Sequence, residues 1–237
     1  MKISLPRKAR FFWVYPLVGL MFFTAHISEW SFRLGAVLVL LGEAVRVWAD
    51  GYVGHLKVNA TDGKATTPKI GHLITGGPYA YVRHPLYVGS FLIGAGFCVA
   101  TASVPMAIGG LVLFIVLYGR KAASEEALIR QEWGAEHEAY CRSVPRWWPT
   151  WRPYAHPYGQ WTWQGIRASK ELKTVVWVLV ALIGMYLYEA LVGKREPFLG
   201  QAWLKHVMLI AALAILIITE GVSELAHRWR PRLPQSS

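Results

Sequence analysis

The sequence predicts an all-α, polytopic integral membrane protein of about six transmembrane helices, and three observations predict it. The apolar fraction is 54% and the mean hydropathy +0.30, above what an ordinary soluble domain carries. The apolar residues fall in blocks. The lysines and arginines gather at the ends of those blocks, where cations meet lipid headgroups. With 25 Lys and Arg against 14 Asp and Glu the net charge is +11, but this charge forms no single stripe on a binding fold, which argues against nucleic acid as a partner. Cys98 and Cys141 show neither metal-ligand spacing nor a disulfide framework, so they read as ordinary thiols and no metal site is expected.

Taken in order, a basic arm with Lys2, Arg7, Lys8 and Arg10 leads into a first apolar run, 11–28. No small-residue cleavage site follows, so the run reads as a retained helix. After a short link, 29–31, comes a second run, 32–48, carrying Glu43 and Arg46 three residues apart on one helix face, where each can neutralise the other. Residues 50–75 are polar and read as a loop. The third and fourth runs, 86–103 and 104–118, are short for helices that cross about 30 Å at 1.5 Å per residue. Pro105 marks their turn, and Gly94, Gly96, Gly109 and Gly110 would let the two approach closely.

Residues 119–142 change character. Glu125, Glu126, Arg130, Glu132, Glu136 and Glu138 stand among Ile129, Trp133 and Tyr140, an amphipathic helix expected to lie against the membrane side of the protein. Between prolines follow Trp147, Trp148, Trp151, Tyr154, Tyr158, Trp161 and Trp163, rings with one polar edge that favour the membrane interface. Two last runs, 174–192 and 202–223, precede a basic tail.

The chain thus divides into a core, 1–150, of four spans plus a cytosolic amphipathic helix, an aromatic interfacial linker, 151–173, and a two-span C-terminal appendage with its basic tail, 174–237. On six spans, one side of the membrane holds 20 Lys and Arg and the other four, so both termini and the long loops are expected to face the cytoplasm.

The stretch that points to chemistry is 71–89, GHLITGGPYAYVRHPLYVG, where a polar loop enters an apolar run. Gly76, Gly77 and Pro78 form a tight turn, and Pro85 suits the first position of a helix. The N–H groups of that helix start, with Arg83 and His84 beside them, make a ready anion site. A membrane anchor of basic and aromatic residues is the competing reading. Opposed by the acidic 119–142 helix on the same side, this corner suits a zwitterion. A carboxylate would take the helix start, Arg83 or His84, an ammonium would take Glu125 or Glu126, and a sulfonium would rest on tyrosine faces. S-adenosylmethionine is one such ligand, which charge and periodicity do not single out.

GPYAYVRHPLYVG, followed after one helical hairpin by EEALIRQEWGAEHEAYCRSVPRWWP, resembles the bipartite signature of the isoprenylcysteine carboxyl methyltransferase and phospholipid methyltransferase superfamily of integral membrane methyltransferases. The resemblance covers 71–149 well, the first two helices weakly and the final two spans not at all. It implies an S-adenosylmethionine-dependent methyltransferase with its cofactor site on the cytosolic face and a lipid or lipophilic small-molecule acceptor drawn from the membrane. It further implies that Leu73, Ile74, Tyr79, His84, Pro85, Leu86 and Tyr87 line the cofactor and that Glu125 holds its methionine portion. Arg120 or Lys121 occupies the place of an acceptor-side arginine. Transfer would be an in-line displacement, aided by alignment and exclusion of water. A carboxylate acceptor of the isoprenylcysteine type needs no base. A phospholipid amine does, and His84 and Glu126 are the candidates. The alternatives are methylation of a small thiol and a membrane reductase using NADPH, since sterol reductases share a related core.

Overall fold

The computed structural model of the protein describes residues 24–53, 73–169, 171–190, 206–211 and 214. Among these residues every regular element is helical: α1 (Glu29–Val53), a single 3-10 turn (Gly77–Ala80), α2 (Pro85–Thr101), α3 (Val104–Ser143), α4 (Trp163–Ser169) and α5 (Glu171–Tyr188). Most of the expected first span, 11–28, most of the sixth and the greater part of the polar loop lie outside the described residues. Of the described helices, α3 and α5 are long and apolar enough to cross a membrane, and α2 is a shorter apolar helix.

Local chemistry moves three of the expected boundaries. Residues 29–31 are the first turn of α1 rather than a link, because Ser28 and Ser31 cap it reciprocally: Ser31 N–H donates to Ser28 Oγ at 3.1 Å and Ser28 N–H to Ser31 Oγ at 2.9 Å. At its other end α1 runs on through residues 50–53, assigned to the loop by composition. The turn between α2 and α3 falls at Ala102, in the left-handed region at φ 47°. Ser103 then caps α3 through Met106 N–H, and Pro105 sits inside the first turn.

The fourth apolar run and the amphipathic helix are one element. α3 spans 40 residues with a kink at Gly134 (φ 37°, ψ −111°), and its stretch before the kink runs unbroken from the apolar run into the amphipathic one. Its first half exposes Val104, Ile108, Leu111, Val112, Ile115 and Val116, as a lipid-facing surface would. Its second half turns inward. Ile129 and Trp133 pack on the cluster of Leu73, Tyr140 and Val144, so the apolar stripe of the amphipathic helix lies against protein.

α1 packs on α2 with the backbones nearly touching. A Cβ on Gly42 would come within 2.6 Å of Gly89 O, and one on Gly96 within 2.7 Å of Gly35 O. Gly96 therefore serves the α1–α2 contact and not the α2–α3 hairpin, while a Cβ on Gly94 would meet nothing within 4 Å.

The aromatic segment after α3 is stitched back over the 3-10 turn by main-chain bonds. Thr150 N–H and Tyr154 N–H donate to Tyr81 O and Ala80 O, both at 2.9 Å, and Thr75 and Gly76 N–H donate to Tyr158 O. Trp148 and Trp151, 80% and 96% exposed, project from this strap. Beneath it Gly77 adopts φ 58° with the Tyr52 ring where a Cβ would stand, so glycine is required there twice over.

The chain divides into two compact units, Met1–Glu171 and Leu172–Ser237. In the second, Leu182, Met185, Leu187 and His206 are buried.

Candidate active site

α2 starts at Pro85 with His84 as its N-cap, as the sequence predicts. That start, the 3-10 turn, α1 and the middle of α3 border a half-open cavity of about 280 Å³. Leu73, Ile74, Tyr79, His84, Pro85, Leu86, Tyr87 and Glu125, the residues predicted to meet the cofactor, all line it, as do Lys121 and Glu126. Arg120 does not; it is exposed on the outer face of α3. The cavity thus draws residues 73–87 and 121–126 together from both halves of the motif.

Glu125 and Glu126 are chain neighbours with opposite surroundings. Glu126 accepts from His84 Nε2 at 2.9 Å, from Arg146 Nε at 3.0 Å and from Arg146 Nη2, and it lies 3.1 Å from Arg83 Nη1. Burial pulls its carboxyl upward, but the hydrogen bonds from His84 and Arg146 and the charge of Arg83 outweigh burial and hold it at about 2. Such a weak base cannot take a proton usefully near neutrality, so the structure argues against Glu126 in that role. Burial also dominates at Glu125, and there it raises the carboxyl above its ordinary value against the opposition of the Tyr87 hydroxyl and of Lys121, whose Nζ is 3.8 Å away. Lys121 also sits 5.3 Å from the Tyr87 ring centre, a cation–π distance.

The anion-site expectation is corrected in one respect. Arg83 and His84 are turned onto Glu126, so the carboxylate they receive is the protein's own. Two guanidiniums against one carboxylate still leave this corner positive.

Several lining or supporting residues escaped sequence reasoning. Arg146 and Trp147 lie beyond α3 and reach back, Trp147 standing 5.7 Å from the His84 ring. His84 in turn stacks on Tyr87 at 5.2 Å. The Tyr140 hydroxyl donates to Tyr79 O at 2.6 Å and fixes the 3-10 turn. Cys141 Sγ lies 2.9 Å from Arg83 Nη1 and 3.3 Å from His137 Nε2. The deepest departure is Arg46. Its expected partner Glu43 is buried without a hydrogen bond, while Arg46 donates from Nε and Nη2 to Glu171 at 2.6 and 2.9 Å and from Nη1 to Ser90 Oγ at 2.6 Å, lining the cavity. A charge in an apolar span is expected to face protein or a cavity, and Arg46 faces both.

The sequence model described as phospholipid methyltransferase matches residues 30–136. A nickel-cobalt-cadmium resistance protein, NccN, of Alcaligenes xylosoxydans xylosoxydans is 31% identical over 143 residues, covering 54% of this chain and 67% of that protein. A cobalt-zinc-cadmium resistance protein, CzcN, of Cupriavidus metallidurans is 27% identical over 155 residues, 65% of this chain and 64% of that one. The protein-S-isoprenylcysteine O-methyltransferase of Schizosaccharomyces pombe is 36% identical over 74 residues, 31% of each chain. No solved structure matches the chain. The family match and the yeast relative support a membrane methyltransferase, and the apolar helices fit an integral membrane protein. The chain belongs to the isoprenylcysteine and phospholipid methyltransferase superfamily.

Proposed function

We propose that this protein is a multi-pass membrane methyltransferase that binds S-adenosylmethionine in the cavity and transfers its methyl group to a lipophilic acceptor, an isoprenylcysteine carboxylate or a phospholipid amine. The observation that carries this reading is convergence: Tyr79 and the run from Arg83 to Tyr87, in the first half of the motif, and Glu125, in the second, line one cavity together with Leu73 and Ile74.

The lining fits the cofactor's chemistry. Glu125 offers a carboxylate to an ammonium, Arg83 and Arg146 leave a positive corner for a carboxylate, and Tyr79, Tyr87 and Trp133 offer ring faces to a sulfonium. When bound, S-adenosylmethionine would supply a methyl group made electrophilic by the sulfonium. The chain's own contribution is to orient and to exclude water. Trp147 closes over His84 and Tyr87, and Glu126 locks Arg83, His84 and Arg146 into one corner. For an amine acceptor His84 remains as the candidate base; a carboxylate acceptor requires none.

On this reading six spans cross the membrane, both termini and the site face the cytoplasm, and residues 174–237 form an appendage to a core ending near residue 150. The charge asymmetry of the sequence supports the orientation.

Equilibrium binding of S-adenosylmethionine to the detergent-purified chain tests the proposal, with Glu125→Ala and NADPH alongside. Binding that weakens about tenfold in the variant, the worth of one charge-assisted hydrogen bond, is expected. Binding of NADPH alone would move the protein to the reductases, and binding of neither would remove the enzyme reading.

A further inference from the structure

Arg46 is an arginine in an apolar run, on the wall of the cavity, and neither the motif nor the family match accounts for its surroundings. The guanidinium is 17% exposed, and its partner Glu171 is 2% exposed and lies 125 residues on, outside the matched segment 30–136. Glu171 takes one N–H from Nε and one from Nη2, and Ser90 Oγ takes one from Nη1 while donating its own proton to Leu86 O. A guanidinium has five N–H donors, so two remain uncommitted among the described residues. A charge is costly to hold at membrane depth and is retained where it meets protein or a functional cavity. A planar fork fixed from behind by a carboxylate is preorganised to receive an oxyanion in front. Glu43 and Asp50, on the same face of α1, stand outside the cavity lining, so the group facing the cavity here is the arginine.

We infer that Arg46 receives an acidic oxygen group, a carboxylate or a phosphate, carried on the apolar acceptor, and that Glu171 positions it. The inference rests on the methyltransferase reading. It moves acceptor recognition from Arg120 and Lys121 on α3 to α1, and makes a residue beyond the family core part of the site.

The test is equilibrium binding to the full-length detergent-solubilised chain with S-adenosylhomocysteine present, so that no turnover occurs. Two probe pairs are compared: N-acetyl-S-farnesylcysteine with its methyl ester, and dioleoyl phosphatidic acid with dioleoylglycerol. Wild type is expected to bind the acid of at least one pair at least tenfold more tightly than its uncharged counterpart, and the pair that shows the preference separates carboxylate from phosphate. Arg46→Met should abolish that preference and leave S-adenosylhomocysteine binding unchanged. Glu171→Gln should reduce the preference several-fold, a ratio that a merely structural role would not move.

If Arg46→Met does not fold, Arg46→Lys carries the test: it keeps the charge, loses the fork and should lower the preference at least threefold. An unchanged preference in these variants, no acid preference or no probe binding in wild type, or weakened S-adenosylhomocysteine binding in Arg46→Met would each overturn the inference. Failure of wild type to bind S-adenosylmethionine would instead sink the underlying function.

Discussion

The two flanks of α2 are built on opposite principles. Toward α1 it presents Gly89 and Gly96 to Gly42 and Gly35, and main chain meets main chain with no room for a methyl group. Toward α3 it presents Phe91 and Tyr87 to Phe114 and Tyr118, ring against ring at 5.1 and 4.9 Å, with the cavity opening beside them. One flank is a buttress and the other leaves space. A short helix can hold a site in this way: the glycine contact fixes the direction of α2, and with it the placing of His84 and Tyr87 at its start, while the aromatic flank keeps room for a ligand.

Breaking the buttress should do the most damage. In Gly96→Leu the side chain would enter the main chain of α1 at Gly35, and neither backbone can give way without separating the helices. The variant should lose the folded protein, read as aggregation on size exclusion. Recovery of folded protein at wild-type yield would show that the two flanks are not different in kind.

The next effect acts on the corner that the buttress positions. Glu126→Gln leaves Arg83 and Arg146 without their carboxylate and should cost about 3 kcal/mol at pH 7, the scale for breaking a buried pair. Its pH dependence sharpens the prediction. The folded pKa of about 2 lies below the ordinary 4.5, so the Glu126 contribution is full above pH 4.5 and is lost as pH falls toward 2. Glu125 has the opposite sign. Its raised folded pKa makes ionisation a penalty, so its stabilising share is present below its ordinary value and is lost as pH rises through the raised one. Melting temperatures of wild type and Glu126→Gln should therefore differ at pH 7 and converge by about pH 2. A constant gap across that range would refute the assignment of the charge cluster to Glu126.

Legibility followed distance along the chain. The start of α2 was readable because proline acts locally, and residues 73–87 were readable as a site because the motif sets them almost side by side. The continuity of α3 was not. Composition changes sharply near residue 119, but the i→i−4 hydrogen bond is indifferent to whether its side chains are apolar or charged. Arg46 shows a second limit. Spacing on one helix names Glu43 as its partner, and the Glu43 charge does act on it, but the carboxylate that it hydrogen-bonds is Glu171, which no local rule contains. Arg146 and Trp147 escaped for the same reason, reaching the site only because the strap after α3 turns back over the 3-10 turn. Of the glycines expected between α2 and α3, Gly110 does face Cys98 of α2, but Gly96 faces α1, because a small residue announces a close approach without naming what approaches.

The smallest expected effect decides whether the two flanks really differ. Gly94 lies on α2 between the two turns that carry Gly89 and Gly96, yet a Cβ there would meet nothing within 4 Å. Gly94→Ala therefore adds a methyl group to open space and removes a glycine from a helix interior, a change that favours the helix by about 0.5 to 1 kcal/mol. The melting temperature should rise by a few degrees with ligand binding unchanged. A loss of stability would mean that the face of α2 carrying Gly94 is also in close contact with a neighbour, and that the glycine pattern sets the spacing of more than the α1–α2 pair. Substitutions two residues apart, one ruinous at Gly96 and one mildly favourable at Gly94, are what a helix packed by backbone along a single stripe requires.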